Sequence, residues 1–252
     1  MKSALMAWPG AAAIALIIGS FVGVVVRRLP DGRDIVFGRS ACPACGTRLL
    51  ARDLVPLASW LWLRGKCRHC RAGIGLFYPA VEVAAVLVAL SAATVASGWL
   101  LWVSCLFGWT LLALALIDLR AFLLPDALTL PLVPAGLAVA WLMMPDELAD
   151  RVLGALFGFV AFALVALAYR HWRGREGLGR GDAKLLASLG AWVGWTGLPG
   201  VVLLASLMAL ALALLRRLLG SPWSATDRIA FGPYLAAAGW VIWLHGPLVL
   251  RL

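Results

Sequence analysis

Two aspartates at the edges of long apolar runs are the residues of this chain that most directly suggest chemistry. Asp118 ends the apolar run of residues 111–117, and Asp182 lies in a glycine-rich turn before the run that begins near Lys184. Glu82 is a third carboxylate within an apolar run. Charged groups inside or at the edge of membrane spans are energetically costly, so these three are functional candidates.

A pair of carboxylates at a partly desolvated site can perform acid–base catalysis. Both groups cannot ionise cheaply, so they share one proton. The ionised carboxylate can act as a base on water while the protonated one polarises a peptide carbonyl. Gly179 and Gly181 would let a substrate backbone approach Asp182 closely. The residues alone leave open that each aspartate starts a helix or pairs with a neighbouring cation.

Four cysteines in two short motifs predict a metal centre. Cys42-Pro43-Ala44-Cys45 and Cys67-Arg68-His69-Cys70 are separated by 21 residues, a zinc-ribbon-like spacing. Four thiolates complete a tetrahedral Zn²⁺ shell with no open position, which predicts a structural metal. Disulfides or free thiols are the alternatives, and a cytoplasmic location argues against stable disulfides.

The composition is that of a membrane protein. Hydrophobic residues make up 63% of the 252 residues and charged residues 13%, whereas soluble domains are about half apolar and a quarter charged. Several apolar runs reach the roughly 20 residues that cross a bilayer as a helix. The net charge of +10 lies mainly in the loops between these runs, which indicates topology and membrane lipid contacts and not nucleic-acid binding.

The apolar runs predict an all-α polytopic membrane protein with about eight transmembrane helices. The polar segment after the first run carries ten Lys/Arg against three acidic residues, so the positive-inside rule places it in the cytoplasm and both chain termini outside. Asp118 and Asp182 then lie at the cytoplasmic boundary. The expected spans are 8–26, 77–97, 99–117, 127–144, 151–170, 184–198, 199–217 and 231–249, with a tight outer turn at Leu198-Pro199-Gly200.

This threading also predicts the organisation of the chain. Residues 1–26 form the first transmembrane helix, residues 27–75 a small cytoplasmic zinc-binding segment, and residues 76–252 the membrane core that carries both aspartates. Two further carboxylates have other expected roles. Asp126 is expected to cap the helix that starts at Ala127. Glu82 either engages a substrate amine or a neighbouring cation, or is hydrogen-bonded within the helix bundle.

The segment from Gly177 to Trp192, with Gly179-Arg180-Gly181-Asp182 at its core, resembles the signature of type IV prepilin peptidases, which are intramembrane aspartic proteases. Ile117-Asp118 with Leu124-Pro125-Asp126 resembles the family's other aspartate segment. The four-cysteine segment with Leu63-Arg64-Gly65-Lys66, the Tyr78-Pro79-Ala80-Val81-Glu82 stretch and Phe231-Gly232-Pro233-Tyr234-Leu235 are similar to further family motifs. The likeness covers nearly the whole chain in order.

The resemblance implies a function. Family members cleave the basic leader from prepilins or pseudopilins at the cytoplasmic face of the bacterial inner membrane, and many methylate the new N-terminus with S-adenosylmethionine. It implies Asp118 and Asp182 as the catalytic dyad and Cys42, Cys45, Cys67 and Cys70 as zinc ligands. The chain departs from the family at Leu54-Val55-Pro56, where Asn-Ile-Pro is common, and at Ala230, where proline is common. The departure at Leu54-Val55-Pro56 bears on methylation, the second activity that the resemblance implies.

Two alternatives remain at this point. One is a peptidase without methyltransferase activity. The other, from a different class, is a proton-coupled transporter in which Asp118, Asp182 and Glu82 relay protons. A transporter would place carboxylates near the bilayer midplane and would have discontinuous helices in paired halves.

Overall fold

The computed structural model describes residues 2–35, 37–174, 179–220 and 229–247. Over these ranges the protein is all-α, as predicted, and the only β-type pairings are two isolated bridges in the cysteine segment. Short 3₁₀ turns occupy Ala51–Asp53 and Pro145–Glu147. The helices are α1 (Lys2–Arg28), α2 (Ala58–Trp62), α3 (Phe77–Val95), α4 (Gly98–Ala121), α5 (Asp126–Met143), α6 (Leu148–Arg173), α7 (Arg180–Leu218) and α8 (Gly232–His245).

The long apolar helices are those expected of a multi-pass membrane protein. By length and composition, six stretches in the described residues are able to cross a membrane. They are Gly10–Arg28, Phe77–Val95, Gly98–Ala121, Asp126–Met143, Pro145–Trp172 and Arg180–Leu218. The last of these is divided at Gly194, whose φ of 76° and ψ of 171° are not helical. With its two halves counted separately and α8 added, the described residues contain eight apolar helical segments, the number expected from the sequence.

The predicted turn at Leu198-Pro199-Gly200 was wrong. These residues are helical, and the division of α7 lies at Gly194 instead. A glycine is required there because φ is positive and because a Cβ would collide with the carboxylate of Asp150. Pro199 lies inside the second half of α7, five residues after this division.

The chain divides into two compact units, Met1–Ala113 and Leu114–Leu252. In the first unit α1 packs against α3. Gly19 of α1 leaves no room for a Cβ against the Glu82 backbone, and the Arg27 guanidinium lies 4.8 Å and 4.9 Å from the ring centroids of Phe77 and Tyr78. The end of α1 and the start of α3 are therefore at the same level.

In the second unit the first half of α7 is the central element. It packs against α5, α6 and α8, and all its residues from Leu185 to Trp192 are buried. At Gly154 of α6 and Gly190 of α7 the two backbones are in direct contact, since a Cβ on either glycine would meet the other's carbonyl group. Small residues permit such close helix packing in membranes.

A buried arginine lies beside the division of α7. Arg151 of α6 donates hydrogen bonds to the Trp192 carbonyl and to Glu147 Oε2, the latter at 2.6 Å. Its guanidinium also lies 5.4 Å from the Trp243 ring centroid of α8. Arg151 therefore joins α6, α7 and α8.

Candidate active site and metal centre

Asp118 lies in the last turn of α4, and the residue is 6% exposed. Its Oδ2 accepts a hydrogen bond of 3.0 Å from the backbone N–H of Gly232, the first residue of α8. That N–H is one of the helix-start donors that lack an intrahelical partner, and a helix N-terminus favours negative charge. A Cβ on Gly232 would lie 2.7 Å from the same oxygen, so only glycine fits beside the carboxylate.

Asp182 is the third residue of α7 and is 8% exposed. Its Oδ2 accepts a 3.2 Å hydrogen bond from the N–H of Gly179, which satisfies a donor at the helix start. Gly181 faces Leu124 in the segment between α4 and α5, and a Cβ there would lie 2.8 Å from the Leu124 Cβ. Gly181 is therefore required by the packing of the fold, and the role of Gly179 and Gly181 in substrate access stays a prediction.

The fold brings the two aspartates together. They come from the end of one helix and the start of another, 64 positions apart in sequence, and are close enough for their charges to interact. Each uses Oδ2 to accept a backbone N–H, while within the described residues Oδ1 of each has no hydrogen-bond partner from the protein. Two fixed, buried carboxylates with one oxygen each available form a site that can activate water.

A row of polar contacts fixes the helix that carries Asp182. Lys184 Nζ binds both carboxylate oxygens of Asp126 at 2.7 and 2.8 Å. One turn further, Ser188 Oγ donates to the Thr129 carbonyl at 2.8 Å. After another turn, Trp192 Nε1 donates to the Leu132 carbonyl at 2.8 Å. Side chains every four residues along α7 thus hold it against α5.

The contact of Asp126 with Lys184 corrects an expectation. Asp126 was predicted to cap a helix beginning at Ala127, but α5 begins at Asp126 itself and the residue at the cap position is Pro125. The Asp126 carboxylate instead pairs with a residue two positions after Asp182.

The four predicted metal ligands meet in the structure. One sulfur from each of Cys42, Cys45, Cys67 and Cys70 lies within 4.8 Å of the others, and all four thiols are free. The Cys42 and Cys70 sulfurs are 3.8 Å apart, too far for a disulfide of about 2.05 Å. Sulfurs bound at about 2.3 Å to one tetrahedral zinc are separated by about 3.8 Å, so the cluster fits a four-thiolate zinc site.

The two Cys-x-x-C motifs, here called knuckles, are followed by the same pattern of backbone hydrogen bonds. In the first, Cys42 N–H donates to Thr47 and Gly46 N–H donates to Cys42; in the second, Cys67 pairs with Ala72 and Arg71 in the same way. Arg68, inside the second knuckle, donates from Nε to Oδ1 of Asp53 at 2.7 Å. This guanidinium lowers the pKa of the Asp53 carboxyl.

Glu82 has a partner within its own unit. Its Oε2 accepts a 2.8 Å hydrogen bond from the backbone N–H of Leu57, immediately before α2. Of the two possibilities left open by the sequence, this contact corresponds to a carboxylate hydrogen-bonded within the protein. Glu82 thereby attaches the cysteine segment to α3.

Sequence reasoning missed the partner of Asp118. Phe231-Gly232-Pro233 was noted as a motif, but its glycine was not connected with the aspartate. A glycine directly before a proline at a helix start was the available signal, because that position presents a free N–H and no side chain. Gly177 and Leu178, at the start of the glycine-rich turn, lie outside the described residues.

Comparison with known proteins shows which family the sequence resembles. Residues 13–96 match the bacterial peptidase A24 N-terminal domain, and residues 105–214 match the type IV leader peptidase family. The chain is 41% identical to a prepilin leader peptidase/N-methyltransferase of Aeromonas hydrophila and 39% identical to one of Pseudomonas aeruginosa, each over 94% of this chain and 90% of the relative. A Burkholderia pseudomallei protein of the same name is 39% identical over 90% of this chain and 81% of its own length.

No solved structure matches the chain significantly. The sequence matches nevertheless extend over both units of the fold and include the two aspartates and all four clustered cysteines. With this identity over nearly its full length, the chain belongs to the type IV leader peptidase family.

Proposed function

We propose that the protein is an aspartic endopeptidase that removes the basic leader from type IV prepilins or pseudopilins at the cytoplasmic face of the bacterial inner membrane. The observation that carries this proposal is the pair Asp118 and Asp182. Both carboxylates are buried, each is held through Oδ2 by a backbone N–H, and their charges interact. The names of the relatives supply the substrate class.

The proposed reaction uses the two carboxylates in opposite protonation states. The ionised one accepts a proton from a water molecule, whose oxygen attacks the scissile carbonyl carbon. The protonated one donates a hydrogen bond to the carbonyl oxygen and stabilises the developing negative charge. A carboxylic acid then gives its proton to the leaving nitrogen as the C–N bond breaks, which returns the pair to one shared proton.

The position of the pair suits this substrate. Asp118 is in the last turn of the apolar helix α4 and Asp182 in the first turn of the apolar helix α7. A substrate with its apolar helix in the bilayer and its leader in the cytoplasm would present the scissile bond at a membrane boundary. A proton relay would instead need its carboxylates near the midplane, so the position disfavours the transporter alternative.

A second activity follows from the relatives' name. We propose that the protein also transfers a methyl group from S-adenosylmethionine to the new N-terminal amine. The four-cysteine site of residues 27–75 would hold a structural zinc, with Cys42, Cys45, Cys67 and Cys70 as ligands, and residues 76–252 would form the peptidase core. The alternative, a peptidase without methyl transfer, predicts an unmodified mature N-terminus.

Substitution of either aspartate tests the peptidase. In liposomes with a model prepilin, Asp118→Asn and Asp182→Asn should each lower the cleavage rate by about 10²–10⁴-fold, because each removes an acid–base group. Asp146→Asn, at an exposed carboxylate outside the site, is the matched control and should cleave normally. Mass spectrometry of the product with and without S-adenosylmethionine tests methylation. Undiminished cleavage by either active-site variant would refute the dyad.

A further inference from the structure

An open cavity in the cysteine segment is lined by basic residues and is not used by the proposed chemistry. Its volume is about 460 Å³, and its lining residues are Trp62, Leu63, Arg64, Lys66, Arg68 and Arg71. Four of these six side chains carry a positive charge. We propose that this cavity and the adjoining end of α2 bind the phosphate headgroups of anionic phospholipids in the surrounding bilayer.

The position of α2 relative to the apolar helices supports a lipid partner. Arg27 at the end of α1 lies over the rings at the start of α3, which marks one membrane boundary for both helices. The hydrogen bond from Leu57 to Glu82 attaches the start of α2 to α3. Glu82 is five residues, or about 7.5 Å of helix, from the first residue of α3. α2 is therefore attached close to the membrane boundary.

The side chains at the end of α2 suit a bilayer interface. Leu61 is 66% exposed and Trp62 is 87% exposed, although both are large and apolar. Tryptophan is enriched at the headgroup level of membranes, where one side of its ring meets hydrocarbon and the other meets water. Apolar side chains beside a cluster of cations are the combination by which peripheral segments bind anionic lipid surfaces.

The cavity also contains arginines where the backbone favours glycine. Arg71 follows the second knuckle at the position that Gly46 occupies after the first, and both residues have a left-handed φ, 60° and 69°. Arg64 has a φ of 52°. Residues other than glycine are uncommon in the left-handed region of φ and ψ, and such outliers concentrate at binding sites. A cation is thus present where glycine would serve the turn better.

Charge decides among the possible occupants. Arg68 is paired with Asp53, but Arg64, Lys66 and Arg71 leave the cavity with a net positive charge. This charge would repel a basic prepilin leader, and S-adenosylmethionine carries more positive than negative groups. A phosphate diester is anionic and lies within reach of the membrane-attached α2. Each Lys or Arg close to an anionic membrane surface strengthens binding by about five-fold.

The test measures hydrogen–deuterium exchange of the backbone amides of the full chain in two kinds of nanodisc. One contains phosphatidylcholine alone, and the other contains equal parts of phosphatidylcholine and phosphatidylglycerol. Exchange over residues 58–71 should be slower in the mixed discs. Arg71→Gly should reduce this lipid-dependent protection by about five-fold. That variant keeps the favoured turn conformation, and unchanged exchange over residues 41–48 verifies that the segment is folded. Arg48→Gln removes an exposed charge outside the cavity and should leave the protection intact.

Equal exchange in the two kinds of nanodisc would overturn the proposal. So would protection that appears in phosphatidylcholine discs only when S-adenosylmethionine or a leader peptide is added, because the cavity would then have a different occupant. An equal effect of Arg48→Gln and Arg71→Gly would show that net charge, and not this cavity, is responsible. Because the readout is amide exchange, the result does not depend on the peptidase being active.

Discussion

Gly232→Ala tests whether the backbone of α8 positions the Asp118 carboxylate. The new Cβ would lie 2.7 Å from Asp118 Oδ2, 3.1 Å from its Cγ and 3.3 Å from its Cβ. Ordinary contacts begin at 3.4 Å, so carboxylate and helix must separate by roughly 0.7 Å. This movement also lengthens the 3.0 Å hydrogen bond from the Gly232 N–H.

The expected effect is a loss of catalytic rate with little change in KM. A misplacement of about 1 Å at a catalytic group can cost about 10²-fold in rate, so cleavage by Gly232→Ala should fall by about 10–10²-fold. The assay is cleavage of a saturating model prepilin in liposomes, with initial rates read by gel or mass spectrometry. The KM, measured in the same assay, should stay within about two-fold because the change acts on the reacting groups.

A matched variant on the same helix separates positioning from general damage to packing. Gly239 lies two turns further along α8, and a Cβ there would collide with the Leu189 side chain but is remote from Asp118. Gly239→Ala should lower the thermal stability of the protein more than Gly232→Ala does, with a smaller effect on the rate constant for cleavage. Wild-type rates in Gly232→Ala, or equal rate losses in both variants, would refute the positioning of Asp118 by α8.

Two further predictions concern the metal centre and the glycine before Asp182. Purified protein should contain one zinc per chain by elemental analysis. The Cys67→Ser variant should lose this zinc, because Cys67 is a buried member of the four-thiolate cluster. Substoichiometric zinc in the wild type under non-chelating conditions would contradict this prediction. Gly181→Ala should destabilise the protein by about 1–3 kcal/mol, as overpacking does, because its Cβ meets Leu124. Leu124→Gly removes the Cβ that Gly181→Ala would meet, so Gly181→Ala should destabilise the Leu124→Gly protein less than it destabilises the wild type in thermal unfolding. Equal destabilisation in the two backgrounds would refute this contact.

The features that could be predicted from the sequence are those encoded locally. Apolar runs of membrane length gave the helices, and the spacing of the two cysteine pairs predicted a cluster that the structure confirms. Asp118 and Asp182 stood out because charge is rare at the edges of such runs. Each of these signals is contained within a few dozen residues, so no knowledge of the tertiary packing is needed to find them.

The errors arose where distant residues decide the local structure. Pro199-Gly200 is a stronger turn signal than Gly194, yet α7 is divided at Gly194, where Asp150 and Arg151 of α6 surround the backbone. The partners of Asp118 and Asp126 likewise come from α8 and α7. Hydrogen bonds between residues 58 to 114 positions apart leave no periodicity that a single sequence displays.

The division of α7 also bears on how the chain enters a membrane. A helix interrupted at Gly194 leaves carbonyl groups without intrahelical donors, and lipid cannot hydrogen-bond them. The guanidinium of Arg151 supplies a donor to the Trp192 carbonyl from the neighbouring helix α6. Conversely, Arg151 would be a costly isolated charge in hydrocarbon without that carbonyl and Glu147. The hydrogen bond thus lowers two costs, that of an unbonded carbonyl in α7 and that of an unpaired guanidinium in α6. Insertion of α6 and α7 as a hairpin therefore costs less free energy than insertion of either helix alone.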